Sequence, residues 1–111
     1  MIPVSFETFE ALVEQPSTKR PVVVNCWADW CGPCTVFEPV YEKISKEFTY
    51  EMDFVKLNIE DNPELADKFD LRRLPALLIF SGGEPLAILS GLIPEYVLKS
   101  ELEYVLSMTQ Q

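Results

Sequence analysis

Pro21-Val22-Val23-Val24-Asn25-Cys26-Trp27-Ala28 is nearly all apolar and β-branched at its start. A strand of that kind has no polar face to offer solvent, so it belongs inside a sheet covered on both sides. The rest of the chain must then supply helices for two faces.

The flanking segments do so. Ser5 is placed to cap a first helix with Phe6, Phe9, Leu12 and Val13 on one face, ending near Gln15-Pro16. Ser17 to Pro21 reads as a polar connection. From about Gly32 to Thr49 the apolar residues Phe37, Val40, Tyr41, Ile44 and Phe48 recur at helical spacing. Pro39 lies inside that helix, removes a backbone donor and should kink it. Met52 to Ile59 reads as a strand, and Asn62-Pro63 as a cap and first-turn proline opening a short helix with Leu65, Ala66 and Phe69. Ala76 to Phe80 is a second buried strand, and Ser81-Gly82-Gly83-Glu84 turns it into a strand from Pro85 to Ser90. After Gly91, a helix from about Pro94 to Met108 points Val97, Leu98, Leu102, Val105 and Leu106 inward.

With a short strand before Ser5 the order is (β)αβαβαββα. Parallel crossovers come first and an antiparallel hairpin follows, so the expected class is α/β, a central mixed sheet with helices on both faces. At 111 residues the chain should be one domain, residues 1–111.

Charge narrows the function. Eighteen acidic residues against nine basic ones give a net charge of −9. That balance argues against nucleic acid as a partner, which needs concentrated Lys and Arg, and favours a monomer. The chain has no histidine, which removes Ser-His-Asp and Cys-His catalysis and every His-ligated zinc site. Apolar runs of about five residues fall far short of the roughly 20 needed to cross a membrane. Met1 to Ser5 shows no basic segment leading into an apolar one, so no secretory signal and a cytoplasmic location are expected.

The chemistry sits in Trp30-Cys31-Gly32-Pro33-Cys34, where the buried strand ends and the long helix begins. Residues three apart on a helix share a side, at a spacing that suits both a disulfide and an open dithiol. Cys31 would stand at the N-cap, where free N–H groups and the helix dipole favour a thiolate, the nucleophilic form. Cys34, one turn in, would be the shielded, resolving thiol. Gly32 and Pro33 fit a tight helix start. Against redox chemistry stand a half zinc site and a purely structural pair, but Cys26 is the only further sulfur ligand, so no metal site is expected. Cys26 itself faces away from Asn25 across the sheet and reads as a small buried apolar residue.

The segment Trp27-Ala28-Asp29-Trp30-Cys31-Gly32-Pro33-Cys34 resembles the signature of the thioredoxin family, and the similarity covers nearly the whole chain. Pro39, Lys56, Leu74-Pro75, Gly83 and Gly91 match further landmarks. The resemblance implies the thioredoxin fold, a cis Pro75, no cofactor beyond the Cys31–Cys34 pair, a thioredoxin reductase as electron donor and disulfide-containing client proteins as acceptors. The Gly-Pro pair between the cysteines is closer to disulfide reductases than to oxidising isomerases, which carry Gly-His. A cis peptide before Pro75 would leave the Leu74 backbone free to pair with an extended client segment. Trp30, Gly32, Pro33, Leu74, Pro75 and Gly91 would form a flat apolar docking surface around it.

The chain departs from the family at three places. Asn25 stands where a buried Asp is usual, close to the lysine matched by Lys56. Asn25 cannot ionise, so the base for Cys34 is missing and Lys56 should lose its charged partner. Arg73, after Arg72, stands where a small residue is common, and Thr35 where a lysine is frequent. Two arginines at the docking loop of an acidic chain bear on the choice of clients. Two other readings remain open at this point: a thioredoxin-fold adaptor with incidental cysteines, and a more oxidising disulfide isomerase.

Overall fold

A computed structural model of the chain describes residues 1–109. Its centre is a five-stranded sheet in the order β1-β3-β2-β4-β5. The strands are β1 (Ile2–Val4), β2 (Val22–Trp27), β3 (Asp53–Asn58), β4 (Ala76–Ser81) and β5 (Glu84–Ser90). β1 and β2 flank β3 in parallel, while β4 runs antiparallel to both β2 and β5. The helices are α1 (Gly32–Glu47), α2 (Pro63–Lys68) and α3 (Glu95–Thr109). The mixed sheet with helices on both faces is the architecture expected from the pattern.

β2 shows why its sequence is nearly all apolar. Val22, Val24 and Cys26 point into one core with Phe9, Val13, Leu65 and Phe80. Val23 points into the other, with Phe37, Tyr41 and Ile44 of α1 and Leu98, Leu102 and Val105 of α3. Period-two alternation thus spends one strand on two cores. The Tyr41 hydroxyl, wholly inside, has one hydrogen to share between the carbonyls of Val23 (3.0 Å) and Val55 (2.7 Å) and ties α1 to β2 and β3. Burial pushes that hydroxyl well above its ordinary pKa.

Several local expectations need correction. Ser5 does not cap the first helix, whose N-cap is Phe9 with no side-chain bond; it closes the turn before it, where its Oγ accepts from Thr8 N–H at 3.2 Å and Thr8 Oγ1 accepts from Ser5 N–H at 2.9 Å. The segment beyond it is π-helical over Glu10–Glu14, with Gln15 N–H bonded to Glu10 O. Phe9 and Val13, four apart, share the buried face, while Phe6 and Leu12 are exposed. Ser17 is buried rather than part of a polar link. Its Oγ donates to Glu14 O and accepts from Gly83 N–H, and its carbonyl accepts from Gly82 N–H, which fastens the β4–β5 turn. Gly82 and Gly83 both have positive φ, 66° and 87°, as a two-residue hairpin loop of this hand requires. Asn62 occupies the N-cap of α2 without capping it. Its amide instead joins Phe6 N–H to Asn58 O, at 2.8 Å each. Val97 and Leu106 are only partly buried.

Candidate active site

β2 runs out at Trp27, and its chain crosses to α1 in four residues. Three backbone anchors hold that crossing: Ile59 N–H to Trp27 O (3.0 Å), Cys31 N–H to Ala28 O (3.1 Å) and Asp29 N–H to Glu60 Oε1 (3.0 Å). Cys31 is the N-cap of α1, in extended conformation, and Pro33 falls in the first turn where its missing N–H costs nothing. The Cys31 sulfur accepts from Cys34 N–H at 3.1 Å.

Cys31 and Cys34 are joined by a disulfide, with Cα atoms 5.3 Å apart. Each is 5% exposed, so burial does not divide an attacking thiol from a shielded one in the bridged state. What divides them is the helix: Cys31 has the N-cap and its donor, and Cys34 sits one turn inside. Ala28 forms one buried cluster with the two cysteines, and Leu74 packs against it. Cys26 is a free thiol inside the opposite core, pushed up to about 12 by burial.

The Leu74-Pro75 peptide is cis. Pro75 itself is buried, where a docking face would need it exposed. Its carbonyl accepts from Gly91 N–H at 2.8 Å and ties the 91 turn to the proline loop. The exposed parts of the expected face are Trp30 (67%), Gly32, Pro33 and Arg73, with Leu74 and Gly91 half-covered. Leu92, at 54%, adjoins Gly91 and was not singled out by pattern alone.

The two arginines behave differently. Asp70, at φ 52°, turns the chain after α2 and takes Arg72 in an exposed ion pair of 2.7 Å. Arg73 makes no ion pair among the described residues. It lies across Gly91, where an added Cβ would come within 3.2 Å of Arg73 Cδ.

The largest correction concerns Lys56. Asn25 and Lys56 do stand opposite each other in the β2–β3 register. Lys56 is not left unpaired, because Glu38 of α1 supplies a carboxylate at 3.7 Å and the Trp27 ring lies 5.7 Å from the ammonium. Glu38 was missed by sequence reasoning. The signal for it was its spacing of four from Cys34 on the same helix face.

A cysteine pair at this spacing can be bridged or open within one fold, so the molecule carries two electrons in and out as a thiol–disulfide oxidoreductase. Comparison with known proteins makes the assignment narrower: the chain belongs to the thioredoxin family, whose model, Thioredoxin, matches residues 1–104. It is 41% identical to a thioredoxin of Synechocystis over 78% of this chain and 80% of that one. It is 38% identical to a thioredoxin of Alicyclobacillus acidocaldarius over 78% and 83%. A chloroplastic M-type thioredoxin of Chlamydomonas reinhardtii is 33% identical over 94% of this chain and 73% of its own. The protein is accordingly a dithiol redox carrier with disulfide reductase activity, and it needs no cofactor besides its cysteines. Among the described residues no helix is long and apolar enough to cross a membrane.

Proposed function

We propose that Cys31 attacks the disulfide of a client protein and that Cys34 resolves the mixed disulfide, releasing the reduced client. The observation that carries this order is the N-cap placement of Cys31, whose sulfur already receives the Cys34 N–H. A thiolate at that position is held by the helix terminus, and a sulfur one turn further in is not. Trp30, Arg73, Leu74 and Gly91 form the client-docking rim, Pro75 positions it, Gly32 and Pro33 shape the helix start, and Asn25 and Lys56 line the far side of Cys34. Electrons come from a thioredoxin reductase. The unit is one domain over residues 1–111, monomeric, acting in the cytoplasm. An unpaired third cysteine supports a reducing compartment. Relatives named as chloroplastic make cell fractionation the test of that last point.

Turnover of insulin disulfides with a thioredoxin reductase tests the reading. Cys31→Ser should abolish reduction, and Cys34→Ser should accumulate a client adduct on Cys31. Reversed outcomes would exchange the roles. The potential of the pair should lie in the region of about −270 mV, a value taken from thioredoxin itself. A value near −120 mV, that of a strong oxidant, would replace the reductase by an oxidase.

A further inference from the structure

Three observations meet behind Cys34. Asn25 is 5% exposed, and its amide oxygen is buried without a hydrogen-bond partner. Lys56, its register neighbour, is engaged by Glu38. Cys34, Asn25, Glu38 and Lys56 line one cleft of about 100 Å³, together with Thr35 and Asp29. Asn25, Glu38 and Lys56 also line a second hollow of about 110 Å³. Spaces of this size with polar walls have room for water.

When Cys34 attacks, its sulfur must first lose a proton. Asn25 has no ionisable group, and Lys56 as an ammonium has no lone pair to accept one. Glu38 does, and it stands one helical turn after Cys34, on the same side of α1. Pro39 follows it and has no N–H for the Thr35 carbonyl, which leaves that carbonyl without its helical partner. The charged groups facing Glu38 are Lys56 from β3, Asp29 from the β2–α1 crossing and Glu42 from the next turn of α1, with the chain's first residue beside the second hollow.

We infer that Glu38 is the carboxylate that accepts the Cys34 proton during resolution, through water in this cleft, and that Lys56 holds it there as a positioning residue. This rests on the resolving role given to Cys34 above. Cys34 gives its proton to the Glu38 carboxylate, and its thiolate attacks the Cys31 sulfur. The Cys31–Cys34 bond forms as the bond from Cys31 to the client breaks. The client sulfur leaves with the electron pair and is then protonated, from Glu38 or from solvent. The client is reduced and the two cysteines are oxidised.

The test separates the two chemical steps on the full chain, mixing reduced protein with a disulfide-bonded client peptide and following tryptophan fluorescence across pH. The first attack is read in a Cys34→Ser background. Glu38→Gln should slow resolution about tenfold, below the range of a fully enclosed base, and remove the acidic limb of its pH profile. It should leave the first attack unchanged. Glu38→Asp should stay within about threefold of the parent, since the acceptor group is retained. Asn25→Asp should restore the rate in the Glu38→Gln chain by returning a carboxylate to the cleft. A Glu38→Gln profile that superimposes on the parent's overturns the proposal, as does a loss reproduced by Asp29→Asn alone or shared equally by the first attack. In each of these cases the parent still reduces the peptide and the reductase reading stands. A parent that forms no mixed disulfide removes both.

Discussion

Asn25→Asp puts a carboxyl group where the structure holds a buried amide with an unpartnered oxygen. The protonated acid matches the amide in shape, so at about pH 4, near the ordinary aspartate value of about 3.9, stability should barely change. At higher pH the unfolded chain gives up that proton first and then binds fewer protons than the folded one. Stability therefore falls as pH rises from the unfolded value to the raised folded value, and is flat beyond it. Full burial raises a carboxyl by up to about 3–5 units. Lys56 stands in register with residue 25 but already faces Glu38 and is 33% exposed, so its offset is partial, about one to two units. The net rise of about two units corresponds to about 2.7 kcal/mol. With a urea slope of about 1–3 kcal/mol per molar, the unfolding midpoint of the oxidised protein should drop by about 1–3 M. That drop should be seen at about pH 8 and nearly vanish at about pH 4. Urea titration followed by tryptophan fluorescence measures both. Equal shifts at the two pH values, or a more stable variant at the higher one, would refute the claim that burial outweighs Lys56.

Cys26 should resist alkylation in the reduced protein, so mass spectrometry after iodoacetamide at about pH 8 should find adducts on Cys31 and Cys34 only. Because burial raises this thiol from 9.0 to about 12, the unfolded chain ionises first and stability falls with rising pH across that window. The full loss is about 4 kcal/mol, and Cys26→Ala should flatten that part of the curve; an unchanged slope would show that the thiol titrates normally. Arg73→Gly should slow reduction of acidic client peptides about threefold relative to neutral ones, the scale of one exposed ion contact. Salt should erase that difference by screening, and equal rates at low salt would remove the charge argument. Gly91→Ala should cost about 1–2 kcal/mol, because φ is 84° and the new Cβ would crowd Arg73; thermal unfolding unchanged from the parent would contradict it.

Local pattern was sufficient for the elements whose faces are set by their own periodicity. The β2 run, the α1 stripe of Phe37, Tyr41 and Ile44, the hairpin at Gly82-Gly83 and the cysteine pair at a helix N-terminus were all legible. In each case one short stretch of chain carries both the signal and the constraint. The first helix was misread because the choice between α- and π-hydrogen bonding moves Leu12 by a fraction of a turn, and packing around Phe9 and Val13 decides it. Pattern also placed Asn62 at a helix cap, where tertiary contacts with Phe6 and Asn58 outbid the capping bond.

The site shows the same division more sharply. Cys31, Cys34, Pro75 and Gly91 could be singled out from sequence, since their types at their spacings imply their chemistry or match a family motif. That Pro75 is buried with its carbonyl bonded to Gly91, that Arg73 drapes over Gly91 while Arg72 is held by Asp70, and that Lys56 is paired with Glu38 could not. Each of these is a through-space relation between separate segments, and side-chain charge has no periodicity that reveals its partner. The sequence by itself determined a redox pair and the fold that presents it; tertiary structure alone decided which carboxylate stands behind Cys34, because only packing α1 against β3 brings Glu38 to Lys56.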